Sequence, residues 1–345
     1  MPEIEYVEDR METEELLERL CPPVRNWFMD KFPDFTEPQK VAIPRILNGE
    51  HLLLCSPTGS GKTLTAFLTI IDDLVRGSLD GTLPDSVQCV YISPIKALAN
   101  DIEKNLLGPL GEIKERYLPS RAKEIKVGLR TGDTPQSERE KMLRKPPHIL
   151  ITTPESLGLG LASKRFRPIL DQMKWFIIDE MHSLVPTKRG THLSLSMALM
   201  DTVVSSDVQR IGISATMEPL DAVAEFLVAS DSRETDAKPQ KVAIAKISGD
   251  RELDLDIILP TPRFSSIPVK EILDHNVDRI KELAEAHTTT LVFVNTRNMT
   301  ETVVQRLKIA GMEGVEGHHG SMDKAIRLDV ESKLKNGLLR CVVSS

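Results

Sequence analysis

From Leu52 onward, short runs of continuous apolar residues alternate with stretches in which apolar positions recur at helical spacing. The runs HLLLCS, VQCVYISP, HILITT, KWFIIDE, QRIGISAT and KVAIAKIS carry few internal charges, as strands buried on both faces require. Their alternation with helix-length segments predicts an α/β fold, a parallel sheet with helices on both sides. Between the first two runs, Leu64, Phe67, Leu68, Ile71 and Leu74 form one stripe of TLTAFLTIIDDLVRG. That spacing predicts a helix that stops at Gly77.

Ahead of the sheet, TEELLERLCPPVRNWFMDKF reads as two short helices split by Pro22 and Pro23, with the acidic residues on a solvated face. The stretch LDLDIILPTPRFSSIPV carries three prolines and no helical period, which marks a connector. A second alternation follows it: helix-like VKEILDHNVDRIKELAEA, strand-like TTTLVFVNT, a helix around TETVVQRLKIAG, then GVEGHH, another helix and LRCVVSS. The predicted domains are an N-terminal helical segment (1–34), a first α/β lobe (35–246), a connector (247–268) and the start of a second lobe (269–345). A parallel strand normally continues into a covering helix. The chain is therefore expected to be a piece of a longer protein.

Composition narrows the class. With 345 residues and 40% apolar content the chain can bury a sizeable core. It has no run of eighteen apolar residues, and its acidic N-terminus lacks the charge of a signal or transit peptide, so a cytoplasmic location and no membrane partner are expected. The four cysteines lack disulfide or metal spacing, and Cys55 and Cys89 sit inside apolar runs as small buried hydrophobes. A net charge of −7 leaves any nucleic-acid partner to a local groove or to backbone amides.

Chemistry concentrates in SPTGSGKT, residues Ser56, Pro57, Thr58, Gly59, Ser60, Gly61, Lys62 and Thr63, between a buried strand and an amphipathic helix. The glycines let backbone N–H groups curl inward, and the helix adds its positive end, which together make a phosphate cradle. Lys62 would reach the β- and γ-phosphates of ATP, and the Thr63 hydroxyl would ligate Mg²⁺. Ser56 replaces the usual opening glycine, a position expected to tolerate a small residue. In WFIIDEMH an apolar strand ends in Asp179 and Glu180, at the edge where doubly wound sheets bind ligands. Asp179 would hold Mg²⁺ and Glu180 would polarise the attacking water.

In this order, SPTGSGKT, DEMH and SAT resemble motifs I, II and III of superfamily 2 DExH-box helicases, and the resemblance covers almost the whole chain. FTEPQKVAIP resembles the Q motif, SPIKALAND motif Ia, TGDT and TTPES the next two strand-contacting motifs, and VFVNTR motif IV. KRGTHLSL and HHGS are similar to the Lhr-type large helicase-related proteins and their archaeal Ski-type relatives. The resemblance implies two RecA-like parallel-sheet lobes, the second incomplete, that close on ATP and move along a strand. It implies that Gln39 recognises adenine with Phe32 or Phe35 nearby. His182 with Ser214, Ala215 and Thr216 would couple nucleotide state to strand binding. The strand track would pass Pro94, Lys96, Gly132, Asp133, Thr153, Pro154, Thr296 and Arg297. Partners would be single-stranded or tailed duplex DNA or RNA, bound by a monomer.

Alternatives stay open at this level. Lys188 and Arg189 either start a helix or touch nucleic acid. His318 and His319 lack a third ligand at zinc spacing, which favours a loop near the strand. The family's arginines that meet the γ-phosphate belong to motifs beyond Ser345, so weak hydrolysis is expected of this chain alone. An ATP-switched clamp that anneals or remodels without processive unwinding uses the same ATPase parts, while a metabolic kinase leaves SAT, TTPES and the second lobe unexplained.

Overall fold

The computed structural model describes residues 2–94, 102–215, 217–228, 240–247, 254–259 and 268–345. The chain divides into two compact units, Met1–Arg251 and Glu252–Ser345. Among the described residues of the first unit, eight strands form one sheet in which every pairing is parallel: β1 (Glu3–Tyr6), β2 (His51–Cys55), β3 (Cys89–Ile92), β4 (Val127–Arg130), β5 (Ile149–Thr152), β6 (Trp175–Ile178), β7 (Gln209–Ser214) and β8 (Lys241–Lys246). Their spatial order is β1-β8-β2-β7-β6-β3-β5-β4.

The period-two alternation of strand residues builds a core on each face. Leu52 and Leu54 of β2 join Phe67, Tyr91, Ile177 and Ile213 on one side, while Leu53 and Cys55 join Val90, Ile92, Phe176 and Ile178 on the other. Helices α1 (Thr13–Arg19), α2 (Pro22–Lys31), α3 (Glu37–Leu47) and α4 (Lys62–Asp80) contribute Leu16, Val24, Val41, Phe67 and Ile71 to the first of these cores. Each fully buried Leu, Ile, Val or Phe contributes about 1.5–3 kcal/mol. This burial anchors β2 and α4, the two elements that flank the loop 56–61.

Two expectations change. Residues 3–6, expected within a helical segment, form an edge strand paired with β8, with Lys241 near Glu3 and Glu5 across the strands. The helix over the TLTAFLTIIDDLVRG stripe does not stop at Gly77. It continues to Asp80, where Gly81 at φ 71 donates its N–H to the Gly77 carbonyl. Gly77 itself has no positive φ and stays helical, and its carbonyl also accepts the N–H groups of Thr82 and Leu83 where the chain folds back.

In the second unit β9 (Thr290–Phe293), β10 (Val315–His318) and β11 (Cys341–Ser344) form a parallel sheet in the order β10-β11-β9. Val277, Val303, Leu307, Val315 and Val343 make its core. Of the expected connector, residues 254–259 are described as irregular backbone. No helix among the described residues is long and apolar enough to cross a membrane.

Candidate functional site

β2, β7 and β6 are neighbours, and their carboxyl ends carry the phosphate loop, Ser214 with Ala215, and the acidic pair side by side. The loop turns on Gly59 (φ 81) and Gly61 (φ 87), positive values that glycine adopts without cost. Thr58 and Gly59 form its exposed tip. Lys62 opens α4 and folds back, its Nζ donating to the carbonyls of Ser56 (2.6 Å) and Pro57 (2.7 Å). Thr63 follows as the second residue of α4.

Ser56 does more than the sequence suggests. Its buried Oγ lies 2.7 Å from Ser60 Oγ, Ser60 Oγ donates to the Pro57 carbonyl at 2.8 Å, and the Ser56 N–H reaches the Ser214 carbonyl at 3.3 Å. The serine thus stitches the loop to itself and to the end of β7.

Gln39 lies against the same loop. TEPQ forms a capping box at the start of α3, in which Gln39 Oε1 accepts the Thr36 N–H at 2.8 Å. Thr36 Oγ1 donates to the Ser60 carbonyl at 3.0 Å. A Cβ at Gly61 would come within 3.3 Å of Gln39 Nε2. Of the two phenylalanines, Phe35 is buried and stacked on Phe28, while Phe32 is 37% exposed and is the one with ring surface left to offer.

Asp179 directly follows β6 and is buried. Its Oδ1 accepts the Glu180 N–H at 2.8 Å, and Tyr91, wholly buried on β3, donates its hydroxyl to Oδ2. Burial pushes the Lys62 ammonium below its ordinary value, and the carboxylates of Glu180 and Asp179 oppose that shift, which puts the loop lysine and the acidic pair in one electrostatic site. A carboxylate fixed by two donors, with a hydroxyl residue at the head of α4, is a hard oxygen set of the kind Mg²⁺ takes. Thr63 and Asp179 are the residues that would hold it. Tyr91→Phe is expected to raise the Mg²⁺ requirement of ATP hydrolysis about tenfold or more, as loss of an outer-shell partner does. Titration of ATPase rate and of Mn²⁺ binding against metal concentration checks this.

Glu180 has φ 52, the left-handed conformation that costs a non-glycine residue about 1–2 kcal/mol. That turn sends its carboxylate back to His182, with Oε2 3.0 Å from Nε2. The Ala215 N–H donates to His182 Nδ1 at 3.2 Å, so the neutral ring carries its hydrogen on Nε2, facing Glu180. The His182 N–H donates to Ser214 Oγ at 3.2 Å. The acidic motif and the SA of SAT are therefore joined through one imidazole. Thr216 lies outside the described residues.

The expected strand-track residues sit mostly at strand ends. Gly132 and Asp133 turn after β4, where Arg139 donates to the Thr131 and Gly132 carbonyls. Thr153 caps the helix Pro154–Leu161 by accepting the Ser156 N–H. Pro94 follows β3, and Lys96 lies outside the described residues. In the second unit Thr296 caps the helix Arg297–Ile309, and Arg297 donates to Ser321 Oγ. His318 and His319 pair with Glu331 and Glu301.

A loop lysine, a buried aspartate and a strained glutamate at neighbouring strand ends match a known group of proteins in sequence as well. The profile of the DEAD/DEAH box helicases matches residues 36–224. The chain belongs to that family. As a DEAD/DEAH box helicase it is 44% identical over its whole length to the ATP-dependent helicase Lhr-Core of Methanocaldococcus jannaschii, covering 40% of that protein. It is 47% identical over 98% of its length to the Lhr-Core of Methanothermobacter thermautotrophicus, covering 39% of it. A solved structure of Mycobacterium smegmatis helicase Lhr bound to ssDNA and AMP-PNP matches 95% of the chain at TM-score 0.73 and 38% identity, and the chain covers 42% of that protein. The chain thus spans about two fifths of the length of the relatives it matches.

Three contributors to the site are absent from the sequence reading. Thr36 was legible in the S/T-x-x-Q spacing of a capping box. Tyr91 was legible only as a tyrosine inside a buried strand, whose hydroxyl needs a partner. Glu155, which pairs with Arg189 at 2.6 Å, had no sequence signal beyond its place in TTPES.

Proposed function

We propose that the protein is an ATP-driven motor that moves along single-stranded DNA or RNA and separates duplexes. The contact chain from Glu180 through His182 to Ser214 and Ala215 is the observation that carries this reading. It ties the group that would activate water to a segment outside the phosphate loop, which a simple nucleotide store does not need. ATP would lie on Gly59–Thr63, with Lys62 exchanging the Ser56 and Pro57 carbonyls for phosphate oxygens. Mg²⁺, when bound, would neutralise phosphate charge. Gln39 and the exposed face of Phe32 would bind the base, and Glu180 would take the proton from water. Pro94, Lys96, Gly132, Asp133, Thr153, Pro154, Thr296 and Arg297 would bind sugar and phosphate without choosing a base. The likeness to an Lhr bound to ssDNA and AMP-PNP supports the same reading.

The test is strand displacement from a 3′-tailed duplex by the full-length protein, with ATPase measured against single-stranded DNA and RNA. The expected result is polynucleotide-stimulated hydrolysis together with release of the displaced strand. Stimulated hydrolysis without release would replace this reading by that of an ATP-switched clamp.

A further inference from the structure

Arg189 is part of the basic pair that follows the acidic motif, and its guanidinium is occupied within the protein. Nε and Nη2 donate to the two carboxylate oxygens of Glu155 at 2.6 and 3.2 Å, and Nη1 donates to the Pro94 carbonyl at 2.7 Å. Glu155 is the second residue of the helix that Thr153 caps, and Pro94 follows β3. One side chain therefore ties together two of the loops expected to touch the strand. The two-pronged geometry uses arginine's planar fork, which lysine cannot supply.

The local sequence builds this placement. Thr187 caps the helix Lys188–Asp201 by accepting the Gly190 N–H. A Cβ at Gly190 would lie 2.5 Å from the Leu184 carbonyl oxygen and 2.9 Å from that of Val185. Only glycine lets this helix start so close to the turn that carries His182, and that closeness delivers Arg189 to Glu155. Arg189 holds the Glu155 carboxyl down at about 2, so the pair is ionised at neutral pH. The two side chains are 39% and 50% exposed, so solvent screens the charge, and what the bidentate geometry adds is a fixed placement of the two loop ends.

We propose that Arg189 is a positioning residue that fixes the Pro94 and Thr153–Glu155 loop ends in one arrangement and passes strand binding there to the segment bearing Glu180 and His182. The proposal rests on the strand-contact reading of those loops given above.

The test uses the full-length protein and measures ATPase against polynucleotide concentration. Arg189→Glu is expected to raise the concentration for half-maximal stimulation roughly tenfold, while basal hydrolysis and the KM for ATP change by less than about twofold. Arg189→Lys is expected to show most of the same defect, because the charge remains and the fork is lost. The exchanged pair Arg189→Glu with Glu155→Arg is expected to recover part of the loss, because it restores the tie between residues 155 and 189 while a glutamate at 189 cannot donate to the Pro94 carbonyl. A direct phosphate contact gives the opposite pattern: a near-normal Arg189→Lys, a neutral or tighter-binding Glu155→Gln, and no recovery on exchange. Any of these overturns the proposal. A wild-type protein that responds to no polynucleotide sinks the motor reading and this proposal with it. A responsive wild type with an unaltered Arg189→Glu sinks this proposal alone.

Discussion

Glu180→Gln is expected to lower polynucleotide-stimulated ATP hydrolysis by roughly 10²–10⁴-fold, the range that a positioned general base supplies. ATP affinity is expected to stay close to wild type. The asymmetry follows from geometry. The Glu180 backbone N–H orients Asp179, and glutamine keeps that N–H, the side-chain length and an oxygen able to accept from His182 Nε2. What glutamine cannot do is take a proton. The left-handed backbone at residue 180 is retained in the variant, so the structural cost of the site is unchanged. Steady-state phosphate release, paired with titration of a fluorescent ATP analogue, separates the two quantities. A rate within a few-fold of wild type would move the base elsewhere and leave Glu180 as the partner that orients His182.

That site was only partly readable from sequence, and the reason differs from residue to residue. β2, β3, β5, β6, β7 and β8 were legible because strands buried on both faces must be apolar throughout. β1 and β4 lie at the two ends of the sheet, so EIEY and VGLR need no apolar run, and four residues are too few for an alternation to stand out. The end of α4 was misplaced because glycine marks a stop only where the chain needs positive φ, and that need falls at Gly81 rather than Gly77. Lys62, Asp179 and Glu180 were legible because phosphate and metal chemistry leave few residue types to choose from.

Contacts between distant segments were not legible in the same way. Gln39 could be assigned by motif, yet its bond to Thr36 and its packing on Gly61 depend on how α3 meets the loop. Tyr91 reaches Asp179 only because β3 and β6 are neighbours in the sheet. For Arg189 the sequence left two readings open, a helix start or a nucleic-acid contact. The structure adds a third role by pairing it with a glutamate 34 positions away. Chemistry that depends on residue type is written locally, whereas chemistry that depends on topology is not.

Lys62→Ala is expected to abolish stimulated hydrolysis, with a loss of at least about 10²-fold, the scale set by removing one preorganised donor from a transition state. It is also expected to weaken ATP binding. A charge-assisted hydrogen bond is worth about 1.5–3 kcal/mol, which is roughly ten- to a hundredfold in affinity. The unliganded protein should lose far less. In it the Lys62 ammonium is satisfied by the Ser56 and Pro57 carbonyls, at the cost of the burial that pushes its pKa down. Alanine removes both terms together, and Ser56, Ser60 and Thr36 still hold the loop through bonds that do not involve the lysine. Thermal melting with and without Mg²⁺–ATP reads out both halves. The melting temperature of the free variant should lie near that of wild type, and the stabilisation by nucleotide should shrink in step with the weaker binding. If the free variant melted much lower while the nucleotide-induced shift survived in full, Lys62 would be a strut of the loop, and the phosphates would be held by backbone N–H groups without it.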